Sequence, residues 1–319
     1  MDNLTHSLVG ALIGQAGLKR KTGLAMPALI IGANLPDIDA ACVVYGIESL
    51  TMRRGITHGP IAWVLLPLVL AGLLWWFDNW QARRGKRPEG RGEVRFGWLF
   101  GLAFVACLTH PALDWLNNYG IRLLEPFSSE WFYGDTLFII DIWLWLGLGF
   151  ATWISLRRER RASGEWRKPA RFALTAALIY IGLNWGISQL ARENALLREP
   201  YPSIVITNPA PIAFWHRELL LRDHKGQWQS SEWYGPVAGQ GYRLPSSAVQ
   251  CASPETDALI RGRPDLAAFL FWSRAPYAER AATGEGIVLH DARFASLGGG
   301  RFSVALPGVA CLQPPRTGR

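Results

Sequence analysis

The chain has 319 residues, of which 50% are hydrophobic, and 33 Lys and Arg against 25 Asp and Glu leave a net charge of +8. In a soluble protein that excess would point to a nucleic-acid partner. Here the cations cluster between long apolar runs, a distribution that reads as membrane topology and speaks against nucleic acid. The runs recur up to about residue 191, and nothing approaching a span follows.

A spanning helix needs about 20 mostly apolar residues, with about 17 as the lower limit. The first candidate, residues 4–18, is short. It follows Asp2 instead of Lys or Arg and carries His6 in its first turn, so a cleaved signal peptide is not expected. The second, 24–45, is long enough but contains Asn34, Pro36, Asp37 and Asp39. Residues 61–77, 137–156 and 171–191 qualify outright, and 96–119 qualifies if it continues through His110 and Asp114. About six membrane helices are therefore expected, in a transmembrane all-α bundle over residues 1–198.

Cations concentrate at 19–21, 83–95 and 157–171, whereas the alternating loops hold only Arg53, Arg54 and Arg122. The positive-inside rule puts the rich loops in the cytoplasm, with the N-terminus and the tail outside. The loop 81–95 reads as a solvated connector, contact with anionic head groups being the weaker reading.

Residues 199–319 change to short β-like runs at 203–207, 213–222 and 227–234, with a turn at 224–226. A helical stretch at 255–272, striped by Leu259, Leu266, Phe269 and Leu270, precedes strand-like 287–294 and 301–306. A small soluble α+β domain is expected. Its Cys251 and Cys311 would lie in a disulfide-permissive compartment, and the sequence leaves a bridge between them open. Cys42 and Cys107 fall in apolar helical context and read as small buried hydrophobes. His216, His224 and His290 lack ligand spacing and read as ordinary histidines.

The chemistry-bearing residues are His6, Asp37, Asp39, His58, His110 and Asp114, followed by Asp135 and Asp141. A carboxylate inside an apolar span costs about 2.5 to 3.5 kcal/mol on insertion scales, so such groups normally face a bundle interior and mark function. His110 and Asp114 are four apart, one above the other on a helix face. Imidazole and carboxylate are the nitrogen and oxygen donors that zinc and similar divalent metals take. The charge topology independently puts all of these residues toward the outer face. Each also has a bland reading: His6 at an interface, Asp37 capping a broken helix after Pro36, Asp141 paired with an arginine.

Five segments together carry a family resemblance: Met-Asp-Asn-Leu-Thr-His at the start, Asn34-Leu-Pro-Asp-Ile-Asp39, Arg54-Gly-Ile-Thr-His58, His110-Pro-Ala-Leu-Asp114, and Asn118-Tyr-Gly with Leu124-Glu-Pro-Phe-Ser128. Over about residues 1–145 the chain resembles the YdjM-like family of inner-membrane metal-dependent hydrolases. The order His, Asp, His, then His-x-x-x-Asp is also similar to that of zinc-dependent phospholipases C and related single-strand nucleases, which are all-helical. The resemblance implies a bacterial inner membrane with a periplasmic tail, and one or two divalent ions, zinc first. Asp37 or Asp39, His58, His110 and Asp114 would hold one ion, and Asp114 would bridge toward His6 and a second. The chain departs from the soluble enzymes in having no further His pair after Asp114 within the helical region, which leaves only Asp135 and Asp141.

The leading expectation is hydrolysis of a phosphoester in a membrane lipid or lipid-linked substrate entering from the outer leaflet. Asp39 or Asp135 would act as general base, and one of Arg53, Arg54 and Arg122 would bind phosphate, head-group contact being their equal alternative. A transporter or metal-handling protein is the alternative from another class, although neither repeat symmetry nor midplane polar groups are evident. A pure anchor has no need of ionisable groups gathered at one depth. An intramembrane metalloprotease lacks its His-Glu-x-x-His.

Overall fold

The computed structural model describes residues 1–162, 165–197, 201–224, 226–235, 238–243, 250–251, 259–297 and 302–312. They form two compact units, Met1–Asp39 with Arg54–Trp185, and Ala40–Arg53 with Gly186–Arg319.

The first unit is helical. Helix α1 (Asn3–Gln15) starts where the Asp2 carboxylate accepts the backbone N–H groups of Leu4 and Thr5. Helix α2 (Ala25–Gly32) stops before Pro36, whose ring disfavours helical backbone at the residue preceding it. The Asn34 amide bonds the freed Ile30 carbonyl at 2.8 Å, and the chain continues as a 3₁₀ stretch, Leu35–Thr51. Pro60 opens α3 (Pro60–Arg83), and α4 (Phe96–Trp115), α5 (Ile142–Arg160) and α6 (Arg167–Leu196) follow.

Helix α4 is the packing centre. Leu102 and Ala106 meet Ala25, Leu29 and Ala33 of the α2 segment, while Leu99 and Ala103 meet Ala28, Leu70 and Ala71. The helices approach closely through small residues, as membrane helices do. A Cβ on Gly32 would lie 3.0 Å from the Ala103 carbonyl oxygen. Leu12, Leu113, Leu137, Leu144 and Leu148 form a further core joining α1, α4 and α5.

Three helices, α3, α4 and α6, are long and apolar enough to cross a membrane, and a fourth span exists if α2 and the following 3₁₀ stretch, bent by 41°, count as one. The expected six is corrected accordingly. Helix α1 has 13 residues, about 20 Å at 1.5 Å per residue against a hydrocarbon core of about 30 Å. Helix α5 has 19, but Arg157, Arg158, Glu159 and Arg160 end it, so its apolar part is too short. Leu65, Leu68, Trp75 and Trp76 leave α3 with an exposed apolar surface, as lipid contact requires.

In the second unit, β1 (Ile204–Pro209), β2 (Arg217–Arg222), β3 (Trp228–Trp233) and β4 (Ala238–Arg243) form one antiparallel sheet in sequence order. Strands β5 (Gln250–Cys251), β6 (Pro276–Arg280), β7 (Ile287–Asp291) and β8 (Ser303–Leu306) form another. Ile206, Leu220 and Trp228 of the first sheet pack with Ala275, Tyr277 and Ala292. Cys251 and Cys311 are joined by a disulfide.

The expected α+β character thus resolves into a two-sheet β domain that carries helix α7 (Pro264–Trp272). The helical stretch expected at 255–272 is helical at Leu259 and Ile260, turns at 261–262 and resumes as α7, which proline at its first position opens; residues 252–258 lie outside those described. Strands β4, β5 and β6 were not expected from the sequence.

Candidate metal centre

Four elements of the first unit bring the candidate ligands together. The turn after α2 supplies Asp37 and Asp39, a 3₁₀ turn (Ile56–His58) supplies His58, α4 supplies His110 and Asp114, and α1 supplies His6. Donor atoms of Asp37, His58, His110 and Asp114 all lie within 4.8 Å of one another. His110 Nε2 is 3.6 Å from Asp37 Oδ1 and 3.6 Å from Asp114 Oδ2, and His58 Nε2 is 3.6 Å from Asp114 Oδ2. A tetrahedral site with bonds of about 2.0–2.1 Å has edges of about 3.3–3.4 Å, so the three 3.6 Å separations are near such edges and the group as a whole must draw inward to coordinate one ion.

The hydrogen bonds fix which imidazole nitrogen is free. His110 Nδ1 donates to the Ala33 carbonyl at 2.7 Å, which leaves a lone pair on Nε2. The Thr57 hydroxyl donates to Asp39 Oδ2 at 2.9 Å and accepts from His58 Nδ1 at 3.0 Å, so Nε2 of His58 also carries its lone pair inward. His58 Nε2 and His110 Nε2 are fully buried without a hydrogen-bond partner, and each lies 3.6 Å from Asp114 Oδ2, which Arg54 also pairs. Two buried imidazole lone pairs left unsatisfied and facing a carboxylate are costly unless a cation sits between them. Burial pushes the imidazolium of His58 down to about 4, so this side chain is neutral and ready to ligate.

Glycine allows the turn bearing His58. A Cβ on Gly59 would lie 1.9 Å from the Glu125 carbonyl oxygen, so a larger residue would push the turn away from the 120s loop.

The other expected residues separate by role. Asp39 sits 3.4 Å from His58 Nδ1 and orients that ring; its Oδ2 also accepts the Arg54 backbone N–H at 2.7 Å, and its Oδ1 has no partner. His6 stacks on His110 with ring centroids 3.8 Å apart and brings Nε2 to 3.4 Å from Asp114 Oδ1, one ring away from the converging four. Both its ring nitrogens lack a hydrogen-bond partner. Asp135 is buried with a left-handed backbone (φ 47°) and lies outside that group. Asp141 caps α5, accepting the Leu144 N–H and the Tyr180 hydroxyl, each at 2.9 Å.

Arg54 enters the centre. Its Nε and Nη2 lie 3.0 and 3.2 Å from the two Asp114 oxygens, and Nη1 donates to Asn117 Oδ1 at 3.0 Å. Its left-handed backbone (φ 53°) is held by the Asp39 contact and by the Arg122 N–H, which donates to its carbonyl at 2.9 Å. The chain's first amino group also pairs with Asp114. Arg122 turns to Glu125 at 2.6 Å and stacks over Trp131. Arg53 belongs to the other compact unit. The sequence reading missed Thr57 and Asn117 as supporting groups, although both adjoin the motifs, Thr57 beside His58 and Asn117 beside Asn118.

The YdjM inner membrane protein family matches residues 1–191. The chain is also 28% identical over 140 residues to a Bacillus subtilis (strain 168) protein described as uncharacterized protein YfhP, an alignment covering 41% of this chain. The matched part is 39% of that relative's length. No solved structure matches. Since the family match takes in every helix of the first unit and all the converging ligands, the chain belongs to the YdjM inner membrane protein family.

Proposed function

We propose that this membrane protein is a metal-dependent hydrolase of a phosphoester in a lipid or lipid-linked substrate, reached from the outer, periplasmic face. The observation that supports it is the convergence of Asp37, His58, His110 and Asp114, with both imidazoles presenting a free nitrogen. A divalent ion such as zinc, when bound there, supplies Lewis-acid polarisation of a phosphoryl oxygen and activation of water. Within the chain, Asp39 holds His58 in the ligating tautomer, and its unpartnered Oδ1 is the carboxylate oxygen placed to take a proton. Arg54, paired with Asp114 and Asn117, holds beside the centre the positive charge that a phosphate bound there would meet. Asp135 is the second choice of base; it does not share the hydrogen-bonded frame around His58.

One observation favours a second reading, metal handling or transport. Asp37 and Asp39 sit just past the break of a bent helix pair, and discontinuous helices build ion sites in transporters.

The test is turnover of phospholipids and chromogenic phosphodiesters by purified protein, with and without chelator. The proposal expects hydrolysis that chelator abolishes and added zinc restores. Chelator-insensitive turnover contradicts it, and metal flux into proteoliposomes without hydrolysis favours the transporter.

A further inference from the structure

At the end of the bundle away from the metal centre, α5 finishes in Arg157, Arg158, Glu159 and Arg160, with Arg161 next. That this is the opposite end follows from two contacts. The Trp145 indole near the start of α5 bonds Asp2 at 3.0 Å, whereas Glu159 pairs with Lys19 beyond the end of α1. Arg157, Arg160 and Arg161 line a cavity of about 390 Å³ with Trp153 and Leu156, and Arg157 lies over the Trp153 ring at 5.3 Å. The one carboxylate of that helical turn, Glu159, is engaged by Lys19. Among the described residues no carboxylate pairs with these three arginines.

A second cavity of about 420 Å³ runs between α5 and α6, lined by Trp143, Gly147, Phe150 and Ile154 and, across from them, by Phe172 and Ala176. Its size falls within the usual range for ligand pockets, about 300–1,000 Å³. Its lining is almost wholly apolar, and it opens sideways beside Phe150 and Phe172, which are 62% and 77% exposed. Helix α6 is one of the candidate spans, so that opening faces hydrocarbon. On α5, positions 143, 147, 150, 154, 157 and 161 recur at helical spacing on one face. The stripe that floors the groove therefore continues directly into Arg157 and Arg161.

We propose that this surface is a binding site for an anionic phospholipid, one acyl chain lying in the α5–α6 groove and the phosphate held by Arg157, Arg160 and Arg161. Charge complementarity selects the occupant. An apolar groove alone accepts any lipid chain or helix, but three guanidiniums beyond its end, without a carboxylate partner among the described residues, favour a negative head on that chain. The site is separate from the metal centre and does not depend on its chemistry.

The test is native mass spectrometry of the full chain, titrated with phosphatidylglycerol or phosphatidylcholine of identical acyl chains. Wild type is expected to retain phosphatidylglycerol at about tenfold lower concentration than phosphatidylcholine, from the attraction of basic residues for anionic head groups. In the triple variant Arg157→Gln, Arg160→Gln, Arg161→Gln the two lipids are expected to bind equally. Because that variant also alters the charges that guide insertion, Gly147→Leu serves as the second arm. Gly147 lines the groove and a Cβ there meets nothing within 4 Å, so leucine narrows the groove without changing charge. It is expected to weaken both lipids about tenfold, the scale of losing a buried chain segment. Equal retention of both lipids by wild type overturns the proposal. So does unchanged phosphatidylglycerol binding in Gly147→Leu with displacement by inorganic phosphate, which would mark a simple anion site. A dimer that Gly147→Leu dissociates, with no lipid preference, overturns it in favour of a second copy.

Discussion

At the scale of single residues, the ligating histidines are set by the groups behind them. Asp39 and Thr57 together fix the His58 tautomer, so Asp39→Asn should keep the fold yet weaken metal binding about 10–100-fold, the usual cost of losing a ligand's supporting carboxylate. A metal-binding titration on purified variant protein checks this, and unaltered affinity would remove Asp39 from its supporting role. His110 and Asp114 were legible from spacing alone, because an i, i+4 pair must share a helix face. Asp39's role was not legible. Two aspartates two apart look equivalent in sequence, and only the turn after Pro36 sends Asp37 to His110 and Asp39 to His58. Arg54 was expected in a phosphate-binding role from a loop; its reach to Asp114, through a left-handed backbone, is a contact that sequence does not announce.

At the scale of elements, the β domain depends on two cross-links. Asp291 is buried and bonded twice by Arg293, at 2.8 Å each. Burial alone would raise its carboxyl, but Arg293 and the Ser273 hydroxyl outweigh it and hold the group below its ordinary range. A depressed carboxylate contributes stability in full above its unfolded pKa of about 3.9, and the contribution is lost as pH falls through the lower folded value. Asp291→Asn leaves Arg293 buried without its counter-charge and should cost about 3–5 kcal/mol at neutral pH. Denaturant unfolding followed by tryptophan fluorescence should show that loss, and it should shrink as pH falls below about 4, where the unfolded-state carboxylate protonates while the native one, held lower, stays charged to more acid pH. The disulfide closes a separation of 60 residues, which chain entropy values at about 4 kcal/mol. Cys251→Ser should lower domain stability by about 2–4 kcal/mol, and a midpoint unchanged by reductant would contradict this. Strands β1, β2, β3, β7 and β8 were legible from short apolar runs between turn residues, whereas β4, with Ala238, Gly239 and Gly241, carries little strand signal of its own.

At the scale of the whole molecule, the division into an apolar helical part and a β-rich tail was visible in composition. The span count was not. Apolar runs measure what is buried as well as what meets lipid: α1 packs Leu12 on the core and α5 packs Leu144 and Leu148 there, while the charged end of α5 shortens its apolar part. Reading both as spans inflated three or four into six. The gathering of the metal centre survives that correction, since it rests on α2, α4 and the His58 turn meeting at one end of the first unit.

Metal content of the purified full chain tests that central claim most directly, measured by elemental mass spectrometry beside His110→Ala and Asp114→Ala. The account predicts at least one divalent ion per chain in wild type and loss of about 90% or more of it in each variant, as expected when a ligand is removed from a site of this kind. Stoichiometric metal retained in both variants, or none in the wild type after reconstitution with zinc, would contradict it.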